Sequence, residues 1–310
     1  MKRFLTQLCL ILSISLLINY VVAGVFEKSF LEDNQSHIAY KLDRFYSFTD
    51  DVLFMGSSRA QQSFLIDSIF TGERAYNYGL VGTGNWLWPK LLVDALNNDK
   101  QELIFINVDP PALEHGAIWN SSYYLKIPRT SFLFNSLKTS EQRSIGYFPF
   151  KFFGRYIELF RTGIKKWYNI TSYEYKGTSI SVKIPNAEMF EASSFTKDAA
   201  LICNKKDIEF LKSHLSHNED IIVFLKLPSY NESGKESFFK EFKPHLNGLP
   251  NTFFMDYTGT FQDRAYWYDH VHFNLEGANV FSQQLREDIK AKVDSGVMNL
   301  SENIVFFEGN

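Results

Sequence analysis

Short apolar runs, each stopped by glycine, proline or a polar residue and most followed by residues of helical period, constrain this chain more than any other feature. The first is 51-DVLFMGSSRA-60, in which Val52 to Met55 end abruptly at Gly56. Similar runs are expected as strands over 75–80, 102–108, 220–227 and 252–257. Helices are expected from Ser58 to about Phe70, then through Asn97, over about 197–217 and 233–245, and from Asn274 to Asp294 before Gly296. A run that is apolar at every position has no face for water, so these strands are covered on both sides. Alternation with helices then gives an α/β fold with a doubly wound, mostly parallel five-stranded sheet. In such sheets ligands sit at the carboxyl ends of the strands. The unusual residues fall there: Gly56-Ser57-Ser58, the glycines from Gly79 to Gly84, Asp109, and the segment 269–272.

Ahead of that unit, Lys2 and Arg3 precede an almost wholly apolar run from Phe4 to Gly24, about 21 residues long. As a helix it has the length of a membrane span, with the positive end cytoplasmic and the body on the extracytoplasmic side. A cleaved signal peptide is the competing reading, because Val21-Val22-Ala23 offers small residues for cleavage. The expected layout is an anchor or signal peptide over 1–24 and, over 25–50, a polar linker with a short amphipathic lead-in. A single domain follows over 51–296, interrupted by an aromatic-rich insertion over about 112–195, and a tail over 297–310 ends the chain. The formal charge of −3 gives no reason to expect nucleic acid as a partner. Of the two cysteines, Cys9 lies in the apolar run and Cys203 is alone in the body, so no disulfide within the body is expected. No cysteine–histidine cluster has metal-ligand spacing, and no cofactor is implied. His214 and His217 are read as solvated.

A serine hydroxyl becomes a useful nucleophile only when a base takes its proton and a third group orients the base. The stretch 266-YWYDHVHFNLEG-277 offers both partners, because Asp269 and His272 are three residues apart just before the last helix. The carboxylate can then hold one ring nitrogen while the other faces a serine. His270 has no aspartate at that spacing and is read as an exposed neighbour. Taken singly, Ser57-Ser58 is a helix cap and Asp-x-x-His a capping pair. Together at opposite ends of the sheet they point to a Ser58–His272–Asp269 triad, and a hydrogen-bond separation of about 2.6–3.2 Å between Ser58 and His272 is its geometric signature.

These residues carry a family resemblance. Gly56-Ser57-Ser58 resembles the Gly-Asp-Ser element of the SGNH (GDSL-like) hydrolases, with Ser57 in the aspartate's place and Ser58 as nucleophile. The stretch 76-YNYGLVGTGN-85 is similar to that family's second element, which makes Gly82, or alternatively Gly79, an oxyanion-hole donor beside the Ser58 N–H. Asp269-His270-Val271-His272 resembles its closing Asp-x-x-His. The resemblance implies a flavodoxin-like sheet and a serine esterase or O-acyltransferase. The third element departs: 106-INVDPPAL-113 puts Asp109 near the place of an asparagine donor, where a carboxylate repels an oxyanion. The Ser58 N–H or Arg59 would have to substitute. That departure is similar to membrane-anchored members of the superfamily acting on cell-envelope polymers. It implies an acyl ester of a glycan or lipid as substrate, or else a scaffold role beside a membrane acyltransferase.

The insertion contains 147-YFPFKFFGRYIELFRTGIKKWYN-169, which interleaves aromatics with Lys151, Arg155, Arg161, Lys165 and Lys166. It reads either as an interfacial helix or lid at a membrane, or as an amphipathic helix packed on the sheet. A dinucleotide site after the second strand is excluded by pattern, because Leu87 stands where the third glycine of Gly82-x-Gly84 would fall.

Overall fold

The computed structural model of the chain describes residues 2–32, 35–47, 49–72, 74–81, 87–98, 101–108, 126–139, 142, 172–181, 205–230 and 243–308. In chain order, α1 (Lys2–Glu32) and α2 (Ile38–Ser47) lead into β1 (Val52–Gly56) and the short α3 (Ser58–Ser63). Next come β2 (Ala75–Gly79), α4 (Trp88–Leu96) and β3 (Leu103–Asn107). The short α5 (Phe132–Ser136) and the strands β4 (Ser172–Tyr175) and β5 (Thr178–Ser181) precede α6 (Lys205–Leu215). The chain finishes with β6 (Ile221–Lys226), β7 (Thr252–Asp256) and the long α7 (Leu275–Asp294).

Five strands form one parallel sheet in the order β2-β1-β3-β6-β7, and all five expected strands are present within a residue or two of their expected ends. The chain winds outward from β1 to β2 on one side and returns through β3 on the other. The carboxyl ends of β1 and β3 therefore flank the point where strand order reverses. Every residue of β1, β2, β3 and β6 is buried, as their unbroken apolarity requires. One face carries Leu53, Met55, Ile104, Ile106, Ile222 and Phe224 against α2, α4 and α6. The other carries Phe54, Phe105 and Val223 against α3 and α7. On that second face Phe54 lies 4.6 Å from Phe105 and 4.7 Å from Phe64, and Phe64 reaches Phe281 of α7 at 5.9 Å. Each such ring contributes about 1.5–3 kcal/mol by burial.

Four expectations need correction. The helix after β1 stops at Ser63 rather than near Phe70, because Phe64 turns extended and drops its ring into the core. The stretch ahead of the amphipathic lead-in is not linker throughout, because α1 continues to Glu32, while the lead-in itself is α2, which packs Ala39, Lys41, Leu42 and Phe45 against the sheet. Two ties hold α2 there, an Arg44–Asp50 ion pair at 2.6 Å and the Arg44 guanidinium 4.3 Å above the Tyr76 ring. The expected insertion is not a pure interruption either. Its antiparallel β4–β5 hairpin, a separate two-stranded sheet, lies against the β2 edge, where the Asn77 N–H donates to the Lys176 carbonyl at 3.0 Å. His214 is half-buried against Phe210, whose carbonyl its Nδ1 approaches at 2.8 Å, rather than solvated.

Among the described residues no helix is long and apolar enough to cross a membrane, so the span expected over 4–24 gains no support from the structure. The helix does not end at Gly24; α1 runs on through the charged stretch 27-EKSFLE-32. Cys203, segment 147–169 and most of the helix expected over 233–245 lie outside the described residues.

The packing of α7 sets a test. Alanine for glycine inside a helix normally gains about 1 kcal/mol. A Cβ at Gly277, however, would sit 2.0 Å from the Tyr266 carbonyl oxygen and 2.9 Å from the Phe273 ring. Gly277→Ala is therefore expected to reverse the sign and lower stability by about 1–3 kcal/mol, read as a fall in the urea midpoint.

Candidate active site

The Ser58 side is built by backbone geometry. β1 ends at Gly56 with φ +143°, a conformation side chains avoid, and Ser57 follows in extended backbone. The Ser57 Oγ accepts the Arg59 N–H at 3.2 Å, and the Ser57 carbonyl accepts the Gln61 N–H at 3.1 Å. Ser57 is therefore the buried N-cap of α3. Ser58 opens the helix itself, half-buried, with its hydroxyl not needed for capping. Its N–H, like others in a first helical turn, has no acceptor within the helix.

The His272 side is built locally. Trp267 and Phe273 pair as an isolated antiparallel bridge, and the Tyr268 N–H donates to the His272 carbonyl at 2.9 Å, closing a tight loop. Asp269 fills that loop. Its Oδ1 accepts the N–H groups of Val271 and His272, each at 2.8 Å, and its Oδ2 accepts His272 Nδ1–H at 2.8 Å. The loop is fixed to α7 by Asn274, which caps the helix by accepting the Gly277 N–H at 2.9 Å and donates to the Ala265 carbonyl at 2.6 Å. With Nδ1 committed to the carboxylate, Nε2 is left as the acceptor, and the Ser58 hydroxyl donates to it at 3.0 Å across 214 residues of sequence. The three side chains expected to act together stand in one hydrogen-bonded chain. Burial pushes the Asp269 carboxyl up. The hydrogen bond from His272, its positive charge when protonated, and the two backbone N–H groups outweigh it and hold the carboxyl below its ordinary value.

Other expected site residues are placed differently. The Gly79 N–H donates to Asn77 Oδ1 at 2.8 Å and so is committed within β2. Gly79 serves close packing instead, since a Cβ there would lie 2.4 Å from the Gln61 nitrogen and 2.8 Å from Ala60 Cβ. The Arg59 guanidinium is buried and donates to the Leu227 carbonyl at 2.9 Å and to that of Pro228, which ties α3 to the end of β6. His270 is not an exposed neighbour: both ring nitrogens are buried, and its carbonyl accepts the Tyr230 N–H at 2.9 Å. Gly82 and Asp109 lie outside the described residues.

One residue at the strand ends was not singled out from sequence. Asn107 closes β3, is fully buried, and has no hydrogen-bond partner among the described residues for either amide atom. An orphaned buried amide costs about 1–3 kcal/mol. Folds carry local costs of that kind mainly beside functional sites. Its signal is a polar residue ending the otherwise apolar 103-LIFIN-107. No protein-family model matches the chain, and no curated protein matches it.

The depressed Asp269 carboxyl predicts a pH-dependent contribution to stability. A group whose value falls on folding stabilises above its unfolded value, about 3.9, and loses that contribution as pH falls through the folded value. Asp269→Ala, which also removes three accepted hydrogen bonds, is expected to cost about 1–3 kcal/mol at pH 7. In urea unfolding series the deficit shrinks progressively below about pH 4.

Proposed function

We propose that this chain is a serine esterase or O-acyltransferase of the SGNH type. The observation that carries the reading is the Ser58–His272–Asp269 chain, at 3.0 and 2.8 Å, at the carboxyl end of a parallel sheet. Ser58 Oγ attacks an acyl carbonyl while His272 Nε2 takes the hydroxyl proton, and Asp269 holds the ring in the required tautomer. The tetrahedral oxyanion is met by the N–H groups of Ser58 and Gly82. His272 then returns the proton to the departing alcohol oxygen. The acyl-enzyme passes its acyl group to water or to another hydroxyl, whose proton His272 receives. The substrate class we assign is an acyl ester of a cell-envelope glycan or lipid. The body acts on the extracytoplasmic side, a placement that rests on Lys2-Arg3 and the apolar run behind them.

A second reading, an SGNH-fold scaffold for a membrane acyltransferase, is favoured by Asp109 in the place of an oxyanion donor. Losing one such donor costs a transition state about 2.7–4 kcal/mol. Under that reading the protein keeps its cellular role with Ser58 replaced and co-purifies with the acyltransferase.

The two serines separate the hypotheses. Ser58→Ala and His272→Ala are expected to abolish labelling by a fluorophosphonate, and unchanged labelling in both sinks the esterase reading. Ser57→Ala removes a cap and is expected to lower stability by about 0.5–2 kcal/mol while labelling persists.

A further inference from the structure

Lys41 is the anomaly outside the triad. It lies on α2, in a stretch whose sequence reads as an amphipathic lead-in, yet it has no exposed surface. A buried lysine is expensive unless its donors are used. Two of its acceptors lie close to Ser58 in the fold, one at the end of β2 and one in α3: Nζ donates to the Gly79 carbonyl and to Gln61 Oε1, the latter at 3.3 Å.

Both acceptors lead toward Ser58. The Gly79 carbonyl belongs to the Gly79–Leu80 peptide group, and on the other side of that group the Leu80 N–H donates to the Gly56 carbonyl at 2.9 Å. Gly56 is the residue whose left-handed φ starts the turn into Ser57 and Ser58. A carbonyl that accepts a strong donor polarises its peptide group, which strengthens the hydrogen bond its N–H makes. Lys41 therefore acts on the Gly56 carbonyl through one peptide group. Gln61, its other acceptor, donates its N–H to the Ser57 carbonyl at 3.1 Å and so closes the first turn of α3. The turn that presents Ser58 is thus gripped from both ends by partners of a single side chain.

We infer that Lys41 is a positioning residue for Ser58, acting through the Gly79–Leu80 peptide and Gln61, and that α2 belongs to the catalytic architecture. The inference rests on the esterase reading only for its kinetic consequence; the bracing itself is independent of it.

The experiment uses the full chain, with Lys41→Met removing the donor and Lys41→Gln keeping a shorter, uncharged one. Two quantities are read. The first is the labelling rate of Ser58 by a fluorophosphonate, separated into probe affinity and maximal rate. The second is amide hydrogen exchange across 52–63 and 76–81. A misplaced nucleophile lowers the maximal rate by about 10- to 100-fold in Lys41→Met with probe affinity unchanged, and Lys41→Gln falls between. Exchange rises at Leu80 and in the first turn of α3 while β3 and β6 keep their protection. A purely structural role would instead loosen the whole sheet and leave the folded fraction labelling at the wild-type rate. Wild-type labelling in folded Lys41→Met overturns the inference. If the wild-type chain itself is not labelled, the esterase reading fails and exchange alone decides: local loosening upholds the brace, and unchanged exchange refutes it. If Lys41→Met does not fold, the same two readouts on Lys41→Gln decide.

Discussion

The carboxyl end of this sheet depends on how closely α3 can approach β1 and β2, and Ala60 sets that distance. A Cβ on Gly56 would come within 2.9 Å of Ala60 Cβ, and one on Gly79 within 2.8 Å. The methyl of Ala60 therefore occupies space that any side chain on either strand would need. Because two adjacent strands end in glycine at the same level, the helix can lie almost on the backbone. Its first residue, Ser58, is then held at the strand ends by packing that tolerates little displacement. Gly56 has a second duty, since its φ of +143° lets β1 turn sharply enough for Ser57 to cap and Ser58 to project.

The two halves of the site are made by different means. The Asp269–His272 half is local, with each of the three bonds that the Asp269 carboxylate accepts spanning at most three residues. One carboxylate sets the loop backbone through two N–H groups and the imidazole tautomer through a third bond. The Ser58 half is non-local, requiring β1, β2 and α3 to be assembled first. Local spacing carries the first kind of information and tertiary packing the second.

That difference explains which parts of the molecule the amino-acid order made legible. The five strands were readable because a strand buried on both faces has to be apolar throughout. The α7 boundaries were readable because Asn274 and Gly296 are chemically suited to start and stop a helix. The Ser58–His272–Asp269 set was readable because each residue type has few other reasons to stand at a strand end. Lys41 was not, because a lysine in an amphipathic pattern reads as solvated and only the arrival of Gly79 and Gln61 gives it a buried use. The early end of α3 was not, because Phe64 leaves the helix for a ring cluster assembled from β1, β3 and α7. The role of Gly79 was misjudged because glycine serves both oxyanion loops and tight packing, and the choice lies in the position of Ala60.

The segment that follows β6 is what holds Ser58 and His272, from opposite ends of the chain, in one arrangement. Arg59, next to Ser58, donates across 168 residues to the Leu227 carbonyl and also to that of Pro228. Two residues later the Tyr230 N–H donates to the carbonyl of His270, inside the loop that carries His272. Tyr230 also faces Trp267, whose indole N–H donates to the Phe261 carbonyl at 2.8 Å and anchors the loop from behind. Residues 227–230 therefore touch both halves and span the gap between them. The 3.0 Å bond from Ser58 to His272 is only about as strong as other neutral hydrogen bonds, and alone it could not hold α3 against the loop. A brace of guanidinium–carbonyl and backbone bonds on the buried side holds them in register. The arrangement of Ser58, His272 and Asp269 therefore does not depend on the Ser58–His272 bond for its integrity.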